Sequence, residues 1–290
     1  MHWIYVVILA AVQGLTELLP VSSSAHVIVT AELLHENMST PANALLLVML
    51  HTGTMFAVIV YFWRQWVNTF FKSWNAFYRF ARMIFVASFL SGLVGYPVIL
   101  LVEHILSHGN HHAVIEALFH KLNWIAPALA AGGILILWAG LREARNPNSK
   151  TGSAGGITWG QAIVMGVVQG FAIPFRGFSR SGSTISAGLL ADGDRVPVES
   201  FSFAMAVAIT PLAIARELYR LVNADAHPGV HPSLVTSLAP SFLGMVCAFF
   251  AGILALKWLS KWLEQGRWYL FGIYCLVASI VVMLLYLRGW

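Results

Sequence analysis

Of the chain's 290 residues, 58% are hydrophobic and only 10% are charged, with a formal net charge of +5, whereas soluble domains carry roughly 25% charged residues. That shortage of polar surface excludes an ordinary soluble globule, and the thin, dispersed positive excess provides no basic domain for nucleic acid. Cys247 and Cys275 both lie in apolar stretches and supply neither a disulfide framework nor a metal pattern.

The N-terminus shows no basic n-region and no cleavage pattern, so no removable signal peptide is expected. Residues 4–12 are apolar but cover only about 14 Å at 1.5 Å per residue, half a bilayer core. Glu17, Pro20 and Ser22-Ser23-Ser24 then stop the run, and residues 25–34 form a second short piece. Stretches long enough to cross a bilayer, about 20 residues each, follow at 43–62, 82–101 and 124–141. Residues 157–169 are again short and apolar, and a break separates them from a piece at 183–190. Three more spans lie at 198–219, 238–257 and 268–287.

The two interrupted pieces read as copies of one device. Residues 13–26 are QGLTELLPVSSSAH and residues 169–184 are QGFAIPFRGFSRSGST; each follows a valine, opens Gln-Gly, passes a proline and presents serines. Irregular backbone at membrane depth is tolerated only under cover of protein or a wet cavity, so each copy reads as a re-entrant hairpin. Arg64, Lys72, Arg79, Arg82, Arg142, Arg145, Lys150, Arg195, Lys257, Lys261 and Arg267 fall on one side of six alternating spans, against Arg216, Arg220 and Arg288 on the other. The positive-inside rule assigns the richer side to the cytoplasm. One hairpin plus three spans is an odd count, so the second copy enters from the opposite face. The expected fold class is an all-α integral membrane protein with six transmembrane helices plus two re-entrant helix–loop–helix hairpins in an inverted-topology repeat. It forms a single membrane domain over 1–290, with repeat one at 1–150 (hairpin 3–34) and repeat two at 151–290 (hairpin 157–191).

Ionisable groups inside a membrane mark function by default. The first copy supplies Glu17 and His26, the second Arg176 and Arg180. This complementary charge suggests one shared site for an anionic ligand. Inverted repeats with broken helices aimed at anions also serve transporters, so transporter and intramembrane enzyme both stand at this level.

These two segments resemble the two signatures of the bacterial undecaprenyl-diphosphatase family, of bacitracin-resistance type. Residues 195–211 (RVPVESFSFAMAVAITP) resemble its Arg…Glu-Phe-Ser-Phe segment. The resemblance implies hydrolysis of undecaprenyl diphosphate to undecaprenyl phosphate and inorganic phosphate in lipid-carrier recycling. It further implies a multi-pass protein of the bacterial inner membrane, a site open to the periplasm, a divalent cation (Mg2+ or Ca2+), and a polyprenyl diphosphate and surrounding membrane lipids as partners; the sequence does not fix the oligomeric state, for which a homodimer is one option. Three departures stand out: Gln13 where many members have a second glutamate, Ala25 for a frequent glycine, and Phe175-Arg176-Gly177 for Trp-Pro-Gly. A lipid-phosphate transporter or flippase is the alternative. A phosphatidic-acid-type phosphatase fits poorly, because no histidine follows Ser179-Arg180 until His227.

Phosphoryl transfer asks mainly for positioning and charge stabilisation. Arg180 offers a planar fork for phosphate oxygens, with Arg176 as a second cation. Ser179, Ser181, Gly182, Ser183 and Thr184 offer hydroxyl and backbone donors. Residues 177–184 mimic a phosphate-binding G-x-x-x-x-G-S-T loop, but they lack its lysine and a preceding strand, so a nucleotide site is rejected. Glu17 is a metal ligand or general base, and His26 a proton shuttle or nucleophile. Ser23 is a candidate nucleophile, with Ser22 and Ser24 as supporting donors; Gln13 counts with these two serines among the substrate-binding residues, and a water activated by Glu17 stays open as nucleophile. The same serines could simply cap a helix. His104, His108, His111, His112 and His120 match no ligand spacing and read as a solvated loop; Asp192, Asp194 and Glu199 read as caps. His51-Thr52-Gly53-Thr54 reads as helix packing or cavity lining.

Overall fold

Residues 3–36, 41–106, 122–145, 156–175, 177–224 and 234–288 are described in a computed structural model. Ten helices account for nearly all of them. They are α1 (Trp3–Leu18), α2 (Ser23–Leu33), α3 (Pro41–Thr69), α4 (Trp74–Leu106), α5 (Leu122–Arg145), α6 (Trp159–Ala172), α7 (Arg180–Leu190), α8 (Arg195–Ala224), α9 (Leu234–Glu264) and α10 (Tyr269–Leu287). Six of them, α3, α4, α5, α8, α9 and α10, are long and apolar enough to cross a membrane. The histidines of the 107–121 segment lie outside the described residues.

Helix limits differ from the sequence expectation where polar residues satisfy one another. α1 does not stop before Gln13 but runs through Glu17 to Leu18. Gln13 donates to Glu17 one turn on at 3.1 Å, and the Thr16 hydroxyl bonds back to Val12 O at 2.6 Å, so neither side chain competes for the helical ladder. α6 likewise continues past Gln169 to Ala172. On the far side of each break the second helix starts early, at Ser23 and at Arg180. These two residues therefore occupy helix N-termini rather than loops.

The backbone repeats this pattern. Among the described residues, four non-glycines have positive φ: Ser22 (67°), His35 (54°), Ser179 (52°) and Asp192 (59°). They form two pairs of equal spacing, 22 with 179 and 35 with 192, so each α2-like helix is entered and left through a left-handed residue. Such residues cost about 1–3 kcal/mol each and persist only where the surroundings hold them. The packing of α1 and α6 matches as well. A Cβ on Gly14 would stand 2.6 Å from Ala251 Cβ on α9, and one on Gly170 would stand 2.8 Å from Ser91 O on α4. Each glycine follows its glutamine and lets two backbones approach.

The ends of the helices are tied in two sets. Gln65 reaches Val196 O, Arg79 reaches Ile157 O, Gln161 reaches Ala191 O, and Arg195 bonds both Glu143 and Glu264 O. The starts of α4, α6 and α8 and the ends of α3, α5, α7 and α9 thus share one cation-rich end. At the other end, Val6, Leu9 and Ala10 of α1 pack with Val27 and Ala31 of α2 and Leu46 and Leu50 of α3. The main core runs between them, around Trp268, Phe201, Phe203, Met165 and Ile185.

Candidate active site

Three helix ends converge on one carboxylate. Glu17 sits in the last turn of α1, 12% exposed as a side chain. Its Oε1 accepts from Arg180 Nη2 at 3.0 Å; its Oε2 accepts from Ser23 Oγ at 2.5 Å and from Gln13 Nε2 at 3.1 Å. A buried carboxylate is costly unless it is paired and hydrogen-bonded, and here residues from three helices share the task. Ser23 and Arg180 are the first residues of α2 and α7, so the carboxylate lies at the positive ends of both helices. Helix N-termini in general also receive phosphate oxygens.

Packing holds the two tips together. A Cβ on Gly182 would stand 3.0 Å from Pro20 Cβ and 2.6 Å from Ile136 Cδ1, so the glycine allows the first loop to lie against α7. Cys275 Sγ donates to Pro20 O from α10. The far end of α7 is fixed by Arg142, which donates to Leu190 O and Asp192, and by Trp268, which donates to Ser186 Oγ.

The remaining candidate residues divide by what their side chains touch. Ser179 caps α7, accepting from Gly182 N at 3.2 Å, whereas Ser22 makes no side-chain cap. The Ser183 hydroxyl is spent on Arg180 O; that of Thr184 is spent on Arg180 O, Ser181 O and Ser202 Oγ. Both residues are fully buried, so they brace the turn that carries Arg180. Ser24 is half-buried on the first turn of α2, and Ser181 is buried on that of α7. Arg176 lies outside the described residues.

His26 makes no hydrogen bond to Ser23 or Glu17. Its Nδ1 bonds Ser22 O at 2.8 Å and its Nε2 bonds Tyr274 Oη at 2.6 Å, with the rings stacked. Two further residues join the site. His51 brings Nε2 to 3.8 Å from Glu17 Oε2, and its Nδ1 bonds Leu47 O. It was legible as an imidazole inside an apolar span, whereas Tyr274 carried no sequence signal beyond its place in the sixth span. Gln13 and Gln169 are not partners, since Gln169 is fully buried and donates to Ser91 Oγ on α4.

A divalent cation finds a limited donor set here. Among the described residues no three His, Cys, Asp or Glu side chains cluster, and both Glu17 oxygens already accept hydrogen bonds. One carboxylate with the neutral oxygens of Gln13 and the serines suits a cation that shares its shell with substrate oxygens, as Mg2+ commonly does.

The arrangement is thus a hydroxyl on a carboxylate beside a guanidinium, at two helix N-termini, in a membrane scaffold. Residues 6–281 match the family described as Bacitracin resistance protein BacA. The chain belongs to that family. It is 49% identical over 287 residues to Undecaprenyl-diphosphatase 2 of Acinetobacter baylyi, covering 98% of each chain. The Undecaprenyl-diphosphatase 2 of Burkholderia thailandensis is 34% identical over 99% of this chain and 96% of its own. The Undecaprenyl-diphosphatase of Desulfatibacillum aliphaticivorans is 32% identical, with 98% of each chain covered. Family membership and six apolar helices make this a multi-pass membrane protein.

Proposed function

We propose that the Glu17 cluster is the active site at which this chain hydrolyses undecaprenyl diphosphate to undecaprenyl phosphate and inorganic phosphate. The observation that carries the site is the carboxylate reached from both hairpins at once. In the proposed reaction the terminal phosphate enters between the N-termini of α2 and α7. Arg180 exchanges its contact with Glu17 for phosphate oxygens, and Glu17 takes the Ser23 proton. Ser23 Oγ attacks the terminal phosphorus, the bond to the bridging oxygen breaks, and undecaprenyl phosphate leaves with the proton from Glu17. Glu17, ionised again, takes a proton from a water that attacks the phosphoserine, and it returns that proton to Ser23 Oγ as inorganic phosphate leaves. Ser23 is favoured over His26 as nucleophile because its hydroxyl already donates to the carboxylate, whereas both imidazole nitrogens are engaged elsewhere. His26 is assigned a proton relay with Tyr274, and His51 steadies the Glu17 charge. Mg2+ or Ca2+ would be held by Glu17 and Gln13 together with substrate oxygens, and it would neutralise charge on the diphosphate.

The topology belongs to the same proposal. The paired left-handed residues and the Gly14 and Gly170 contacts support two repeats. The Gln161 to Ala191 bond, at the cation-rich end, supports a second hairpin that enters and leaves by that face. The apolar contacts of α1 with α2 support a first hairpin based at the other face. With the cation-rich end in the cytoplasm, the repeats are inverted, the protein sits in the inner membrane, and the site opens to the periplasm. A cysteine at Ser22 should then react with a small impermeant thiol reagent from outside, while one at Asn75 should react only after permeabilisation. The reverse pattern overturns the orientation. A homodimer completes the proposal, and crosslinking in membranes tests it.

Hydrolysis rather than transport is tested by phosphate release from undecaprenyl diphosphate, using purified protein in detergent without a gradient. Turnover is the expected result; binding without phosphate release would leave the flippase reading.

A further inference from the structure

At the cation-rich end, the starts of α4 and α6 flank an open cavity of about 390 Å3 lined by Trp74, Asn75, Tyr78, Arg79, Arg82 and Trp159. It shares no residue with the Glu17 cluster. Its arginines differ from those that pair with a carboxylate. Arg142, Arg180 and Arg195 each have a carboxylate within 4 Å, at Asp192, Glu17 and Glu143. Arg79 and Arg82 have none among the described residues. Arg79 reaches only Ile157 O, at a limiting 3.5 Å, and Arg82 stands 5.8 Å from the centre of the Trp159 ring. They are three residues apart on α4, hence on one face, and both are exposed.

The walls have a matching character. Trp74 is 74% exposed and Tyr78 57% exposed, at the level where the apolar stretch Trp74–Val102 begins. Aromatic rings with one apolar and one wet side belong at the headgroup level of a bilayer. α6 starts beside them at Trp159 and directs the positive end of its dipole to the same place. Two guanidiniums with no carboxylate partner among the described residues suit a phosphate, which their forks meet bidentately. Basic pockets between membrane helices take acidic headgroups for the same reason. A free phosphate would use the arginines but leave the aromatic walls unused. A zwitterionic headgroup would bring its own ammonium against Arg79 and Arg82.

We propose that this cavity binds the headgroup of an anionic glycerophospholipid, with Arg79 and Arg82 on the phosphate and Trp74, Tyr78 and Trp159 against the glycerol and first acyl carbons. Native mass spectrometry of the full chain, titrated with phosphatidylglycerol and separately with phosphatidylcholine, tests this. Wild type should retain phosphatidylglycerol in preference to phosphatidylcholine, and millimolar inorganic phosphate should not displace it. R79Q/R82Q should weaken phosphatidylglycerol about tenfold, the size expected for losing charge-assisted bonds, while releasing phosphate from undecaprenyl diphosphate at the wild-type rate in detergent. If the double variant does not purify as a monodisperse species, R82Q alone must still lose most of the preference. Undiminished phosphatidylglycerol binding by the variants, or equal binding of the two lipids by wild type, overturns the proposal. Full displacement by inorganic phosphate also overturns it, in favour of a small-anion site.

Discussion

The two helix–break–helix segments, α1 with α2 and α6 with α7, follow one backbone pattern and carry different side chains. Both have a Gln-Gly that lets the first helix press on a neighbour, and both enter the second helix through a left-handed serine, Ser22 or Ser179. Beyond that serine the residues part: Ser23 carries a hydroxyl and Arg180 a guanidinium, and both end on Glu17. The glutamines part as well. Gln13 donates to the Glu17 carboxylate, while Gln169 is sealed against Ser91, with its carbonyl oxygen buried and without a partner among the described residues. Two similar segments thus aim two helix N-termini at the Glu17 carboxylate, and under the proposed mechanism the side chains on those termini supply nucleophile and clamp. Neither hairpin alone holds a neutralised site.

Substitutions that treat the halves differently sharpen this comparison. The largest loss is expected for Glu17→Gln, which removes the proposed base and strands Arg180 and Ser23. Phosphate release should fall by roughly 10³–10⁴, in the upper range for general acid–base groups. Arg180→Lys keeps the charge but not the fork and should cost on the order of 10²–10³, as for a lost oxyanion donor. Near-normal turnover of folded Arg180→Lys protein removes the clamp from the account. Gln13→Glu adds a second carboxylate and should tighten apparent cation affinity in metal titrations several-fold, since a divalent site strengthens with carboxylate count. An unchanged titration makes Gln13 a strut. The smallest effect falls on the other copy. Gln169→Leu should leave turnover within about twofold and shift stability by about 1 kcal/mol, the usual net value of one hydrogen bond, read as a thermal midpoint.

Much of this was legible because membrane chemistry is unforgiving. Six apolar runs, two breaks and a one-sided distribution of Lys and Arg leave few arrangements, and Glu17, Ser23 and Arg180 stood out as polar groups without water. What stayed hidden depended on contacts between distant segments. Glu17 looked like a helix stop until its bond to Gln13 placed it inside α1. Ser183 and Thr184 looked like phosphate donors, yet their hydroxyls turn inward to Arg180 O and Ser202. Tyr274 lies 248 residues from His26, and no local pattern could have joined them. His51 was visible but read equally well as packing, because a small polar run in a span serves either purpose.

The central claim is that the two hairpins act as one catalytic unit through Glu17. A double-mutant cycle on phosphate release, with Glu17→Gln, Arg180→Gln and the pair, measures it most directly. Residues that work as a unit are strongly non-additive, so the double variant should be little slower than the slower single variant. Losses that multiply would mean that carboxylate and guanidinium act independently, and would contradict a shared site.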